Sequence, residues 1–182
     1  MIICVVGKTS SGKDTVARII KDKYNIDMVV SYSTAKRRPD QIEGVHHYFI
    51  TDEKMEELKN NASIIAYTKN EVSGIQYCAT LESIKSDICV YIINPNGIDY
   101  MRKNNFNDFV SIYVDCKDSK IIIRGTKRGD SILKLSERLS LEKEEWENFR
   151  DTKQYDYYID NSGSYDDLVS QVDRVMNDIL NK

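Results

Sequence analysis

Residues 7–15 read GKTSSGKDT. Gly7, Gly12 and Lys13 are spaced as a chain requires to wrap its backbone around a polyanion: the glycines permit the tight turn, loop N–H groups converge on phosphate oxygens, and an ammonium reaches the terminal phosphates. Thr9, Ser10, Ser11 and Thr15 add hydroxyls to the same stretch. The pattern asks for a hydroxyl directly after the lysine, and Asp14 stands there instead. A carboxylate beside a phosphate is repulsive unless a cation lies between them. Asp14 is therefore a candidate Mg2+ ligand, directly or through water. Two other roles stay open: complementing the dipole of the following helix, or marking a loop that no longer holds nucleotide.

The surrounding elements suit the first role. The apolar run IICVV (2–6) reads as a buried strand leading into the loop, and residues 13–24 repeat apolar positions at helical spacing, with Val16, Ile19, Ile20 and Tyr24 on one face. Further strands are expected at 28–31, 88–93, 109–115 and 157–160, with helices near 97–104, 118–125, 131–152 and 164–181. Continuous apolar strands alternating with helices predict an α/β fold with a parallel sheet covered on both faces. Residues 32–86 break the rhythm and read as an inserted lobe of short strands and one helix, TDEKMEELKNN, with Thr51 as its N-cap.

The chain has 182 residues, 41% hydrophobic and 30% charged, which suits one domain with a sizeable core. A net charge of −3 and a pI of about 5.5 argue against nucleic acid as a partner. Cys4, Cys78, Cys89 and Cys116 form no C-x-x-C pair, and Cys4 and Cys89 lie in apolar runs as core thiols, so a reduced setting is expected. No apolar run is long enough to span a bilayer, and the N-terminus lacks the features of a secretory signal. The expectation is a cytoplasmic protein with no membrane partner.

Residues 31–49, SYSTAKRRPDQIEGVHHYF, resemble the guanylate kinase signature S-H-T-T-R-x-P-R-P-G-E-x-x-G-x-x-Y-x-F without a gap. GIQYCAT (74–80), ICVYIINPNG (88–97), RGTKRGD (124–130) with SERL (136–139), and YDYYIDN (155–161) resemble later family motifs in the same order. The resemblance implies a P-loop kinase fold: a five-stranded parallel sheet flanked by helices, with a core of 1–31 and 87–182, an NMP-binding lobe of 32–86 and a short lid at about 124–136, all one domain over 1–182. It implies an ATP-dependent nucleoside monophosphate kinase using Mg2+, monomeric or homodimeric. Lys13, Arg124, Arg128 and Arg138 would serve the transferring phosphoryl group. Gly7, Thr9, Ser10, Ser11, Gly12, Lys13, Asp14, Thr15 and Asn161 would hold ATP, with Asp14 on the metal. Ser31, Arg37, Arg38, His47, Tyr77, Thr80 and Asn94 would hold the acceptor.

The acceptor side departs from the family pattern. Of two arginines expected three positions apart, Ala35 replaces one and Arg38 keeps the other, with Lys36 and Arg37 between them. One tyrosine becomes His47, and the other is kept as Tyr77. His47 can still donate to phosphate, with a charge that makes binding pH-sensitive; the plain alternative for the pair His46–His47 is solvent-facing loop residues, and a metal site is disfavoured because neighbours on a strand point to opposite faces. No acid stands within 66–68, where the base-reading glutamate would fall; the serine becomes Ala79, and the two acids of D-x-D become Ile92 and Asn94. Asn94 can both donate and accept, so it can read a different base edge and the preferred base need not be guanine. The acid lost at Ile92 is matched by the one gained at Asp14. Two further readings stay open: a kinase of another small phosphorylated metabolite, and a non-catalytic binding module. No N-K-x-D motif supports a GTPase. Trp146 is expected to pack a long helix against the sheet, with the surrounding charges solvated.

Overall fold

The computed structural model describes residues 1–39, 41–70 and 73–181; Asp40, inside the acceptor-side motif, lies outside them. Its central strand β1 (Ile2–Val6) is buried along its whole length, which explains why it carries no polar side chain. β1 pairs in parallel with β7 (Cys89–Ile93) and β8 (Phe109–Asp115), and β2 (Asp27–Met28) and β9 (Tyr157–Asp160) complete a five-stranded parallel sheet in the order β2-β7-β1-β8-β9. Side chains alternate across it. Ile3 and Val5 pack with Val16 and Ile20 of α1 (Lys13–Tyr24) and with Leu168, Val172 and Met176 of α7 (Tyr165–Leu180). Ile2, Cys4 and Val6 face the other way, toward Ile98 and Met101 of α3 (Pro95–Lys103) and Trp146 and Phe149 of α6 (Lys143–Asp151). All four cysteines are free and buried.

A second sheet, ordered β4-β3-β6-β5, forms the lobe: β3 (Ser31–Ser33), β4 (His47–Phe49), β5 (Ile64–Lys69) and β6 (Gln76–Thr80). The strand expected over 28–31 is thus two strands in two sheets. Val29 N–H still bonds the Val90 carbonyl at 2.9 Å, and two residues later the chain has crossed into the lobe. The apolar run gives no sign of the switch, because both halves are buried. Helix α2 (Asp52–Asn61) starts as expected, with the Thr51 hydroxyl accepting from Lys54 N–H at 3.3 Å.

Beyond β8 come α4 (Asp118–Lys127) and then α5 (Ile132–Leu141), so the single helix expected over 131–152 is two, α5 and α6, broken at Glu142. The apolar spacing runs through the break although the two pieces bury it unequally, α5 only Leu135 and α6 both Trp146 and Phe149. Glu142 Oε2 accepts from Trp146 Nε1 at 3.2 Å and fastens the corner. Among the described residues no helix is long and apolar enough to cross a membrane.

Trp146 is 5% exposed and stacks on Tyr113 with ring centroids 6.1 Å apart. Trp146→Ala removes that stack and the hydrogen bond to Glu142 together. It is expected to destabilise the fold by about 3–5 kcal/mol, read as a lower urea midpoint at unchanged slope.

Candidate functional site

The loop between β1 and α1 is built around backbone conformations that side chains resist. Ser10 (φ 53°) and Gly12 (φ 97°) are both left-handed. A Cβ on Gly12 would overlap Asn161 Nδ2, and one on Gly7 would sit 2.6 Å from the Val114 carbonyl, so neither position has room for a side chain. Gly12 is also the N-cap of α1 and offers no side chain to the helix's first amides, which are left for an outside acceptor. Ser10 Oγ and Ser11 Oγ are buried without a hydrogen-bond partner among the described residues. Uncapped amides and orphaned hydroxyls in one turn fit a phosphate group, whose oxygens accept from both.

Lys13 Nζ donates to the Lys8 carbonyl at 3.4 Å and lies 3.7 Å from Asp14 Oδ2. Burial holds its pKa below the usual lysine value. The positive fields of Arg138 and Arg128 act in the same direction, against Asp14 and Glu142. Both arginines are thus close enough to be felt at the loop lysine. Each rests on a carboxylate nearby in its own segment: Arg128 on Asp130, and Arg138 Nε on Glu142 Oε1 at 2.7 Å.

Arg124 differs from these two. Its Nη1 donates to the Ser11 carbonyl (3.3 Å), and its Nη2 to the Asn161 carbonyl (3.0 Å). Asn161 Nδ2 donates to the same Ser11 carbonyl at 2.7 Å. Arg124 and Asn161 therefore clamp the loop from behind. Both also line, with Gly12, Thr15, Gly163, Ser164, Tyr165 and Leu168, a cavity of about 190 Å³ beside the loop. Thr9 is buried within the loop.

Across the cleft, register puts Ser31, Ser33, His47, Thr68 and Tyr77 on one face of the lobe sheet. His47 is half-buried in strand β4 rather than in an open loop, 2.8 Å from Ser31 Oγ and with its ring 5.5 Å from that of Tyr77. Burial lowers its pKa. His46 adds to this, while the Ser31 hydrogen bond and the Asp14 carboxylate oppose it. His46 is exposed and accepts from Ile42 N–H through Nδ1 (3.0 Å). Arg37 and Arg38 are exposed on the lobe, with no ion pair among the described residues.

Two acceptor candidates have other partners. Thr80 is 1% exposed, points to the opposite face from Tyr77, and its hydroxyl lies 3.3 Å from Ser83 Oγ in the cap of a 3-10 turn. Asn94 caps α3, its Oδ1 accepting from Gly97 N–H at 2.9 Å, which leaves its Nδ2 as a donor. Asp14 is exposed, and among the described residues no group of three or more His, Cys, Asp or Glu side chains could hold a metal ion. One carboxylate still fits Mg2+, which usually combines one or two carboxylates with phosphate oxygens and water. Sequence reasoning missed Lys8, whose signal was a second lysine inside the glycine loop.

Comparison with known proteins bears on the family and the fold. The family model for guanylate kinase matches residues 1–179. A guanylate kinase of Agrobacterium fabrum is 29% identical over 167 residues, covering 87% of this chain and 74% of that protein. One of Brucella melitensis is 28% identical over 121 residues, 63% of this chain; the match spans only about half, 54%, of the relative's length. The crystal structure of guanylate kinase from Anaplasma phagocytophilum superimposes with a TM-score of 0.68 at 21% identity, covering 100% of this chain and 85% of that one, and so shares the fold. With the loop, the lobe and a family match over nearly its whole length, the chain belongs to the guanylate kinase family.

Proposed function

We propose that this chain transfers the γ-phosphoryl group of ATP to the phosphate of a (deoxy)nucleoside monophosphate, giving ADP and the nucleoside diphosphate. The observation that carries the reading is the loop itself: uncapped helix amides, two orphaned buried hydroxyls and Lys13, opposite a polar lobe face. Phosphoryl transfer needs positioning and charge neutralisation more than covalent groups, and these parts supply both. The loop amides and Lys13 hold the donor phosphates. Arg128 and Arg138 bring planar guanidiniums to the group in transit, exchanging Asp130 and Glu142 for phosphate oxygens. Arg124 and Asn161 keep the loop in shape and wall the cavity beside it, which suits the nucleoside of ATP. Mg2+, when bound, neutralises phosphate charge beside Asp14.

On the acceptor side, His47 and Tyr77 face the cleft as phosphate donors, with Arg37 and Arg38 adding positive charge at the rim. Among the described residues of β3, β4, β5 and β6, this face offers hydroxyls and an imidazole and no carboxylate. Guanine presents N1–H and N2–H donors, which a carboxylate satisfies best. A face without one disfavours guanine, because those donors would be buried unpaired.

Incubation with ATP, Mg2+ and a panel of (d)NMPs tests the reading. ADP release is expected with at least one of them, and GMP is expected to rank below another acceptor; no ADP release with any would overturn it. Lys13→Met is expected to lower turnover by about a hundredfold or more without unfolding the protein. Asp14→Asn is expected to raise the Mg2+ concentration needed for half-maximal rate.

His47 gives a pH-dependent prediction. Its folded pKa lies below the ordinary 6.5, so the unfolded chain binds the proton first as pH falls. The stability that neutral His47 contributes is therefore fully present above pH 6.5 and is lost as pH falls through the folded value. The melting temperature of the native protein should fall between about pH 7.5 and about pH 5, and that of His47→Gln should fall less steeply.

A further inference from the structure

Lys8 lies inside the loop, between Gly7 and Thr9, and its backbone faces the cradle. Its carbonyl accepts from Lys13 Nζ (3.4 Å) and from Ser11 N–H (3.2 Å). The side chain is only 14% exposed and ends 3.0 Å from Asp118 Oδ1, at the first residue of α4. The Asp118 carboxylate is itself 59% exposed. A lysine whose side chain is mostly covered is thus held beside the glycine-rich loop by a well-solvated carboxylate. Its stem starts from the residue that the Lys13 ammonium touches, so the two cations can reach the same anion.

The pairing follows a pattern. Lys13 lies beside Asp14, Arg128 on Asp130 and Arg138 on Glu142, each with a carboxylate of its own segment. Lys8 alone among these four cations takes its carboxylate from a distant element. An ion pair with so exposed a carboxylate is weak, whereas an ammonium–phosphate hydrogen bond is charge-assisted on both sides. A triphosphate seated against Lys13 would outcompete Asp118.

We propose that Lys8 is a second phosphate-binding lysine, parked on Asp118 until a triphosphate recruits it. The inference rests on the ATP-binding reading of the loop. The plainer role for this pair is a latch fastening the loop to α4. The two roles differ in sign. If the pair is a latch, breaking it from either side loosens the loop and weakens nucleotide binding equally. If Lys8 is recruited, removing Asp118 frees the ammonium and strengthens binding.

Calorimetric titration of Mg·ATP and of inorganic tripolyphosphate into the native protein, Lys8→Met, Lys8→Arg and Asp118→Asn separates them. Lys8→Met is expected to bind both ligands about tenfold more weakly. Lys8→Arg, which keeps the charge, should recover most of that loss, and Asp118→Asn should bind about two- to threefold more tightly. In turnover assays KM for ATP should follow the same order. Equal weakening in Lys8→Met and Asp118→Asn, or unchanged affinity in Lys8→Met, would overturn the proposal and leave the ATP reading standing. Failure of the native protein to bind either ligand would overturn both.

Discussion

The site depends on one carbonyl. Ser11 O receives Asn161 Nδ2 at 2.7 Å and Arg124 Nη1 at 3.3 Å, so segments more than a hundred residues apart in sequence meet on a single oxygen. The flanking residues Ser10 and Gly12 are both left-handed; glycine takes that conformation freely, whereas Ser10 holds it only because the surroundings over-determine it. Turning that carbonyl back toward the core leaves the loop's donors for the cleft. Asn161 is in turn held by its N–H on the Asp115 carbonyl at 2.9 Å, and α4 is fastened to the adjacent turn by Lys120 on the Ser162 carbonyl. The loop therefore needs little reorganisation to receive an anion, the condition under which fixed dipoles stabilise charge best.

Charge around the loop is balanced locally. A cluster of uncompensated cations would repel itself and destabilise the fold, whereas paired cations give each arginine and lysine a resting place. Each pair has one well-solvated member, so each is weak on its own. The segments that carry them differ in anchorage. α4 is bolted to the loop, and α6 is held by Trp146 and Phe149, whereas α5 buries only Leu135 and leaves Leu133 82% exposed. A helix with so few buried contacts opens at low free-energy cost. This suits Arg138, which α5 carries.

Much of the fold was legible in the sequence. The strands at 109–115 and 157–160 and the helix at 13–24 have the limits read from pattern alone, since continuous apolar runs and helical spacing record burial directly. The lobe was legible only as a break in rhythm. The crossing between sheets near Val29 and the corner at Glu142 were not, because burial continues through both. Thr80 and Asn94 looked free to meet a ligand, yet each caps a nearby turn or helix.

By itself the sequence determined the strand–loop–helix that cradles an anion, because its glycines, lysine and hydroxyls are neighbours in the chain and local backbone preference is enough to bring them together. It also determined the layered α/β order, which hydrophobic periodicity records. Only the tertiary structure decided which distant group each polar side chain meets: Arg124 the Ser11 carbonyl, Lys8 the Asp118 carboxylate and His47 the Ser31 hydroxyl. A long polar side chain can reach many partners, and the distant segment that arrives beside it selects one.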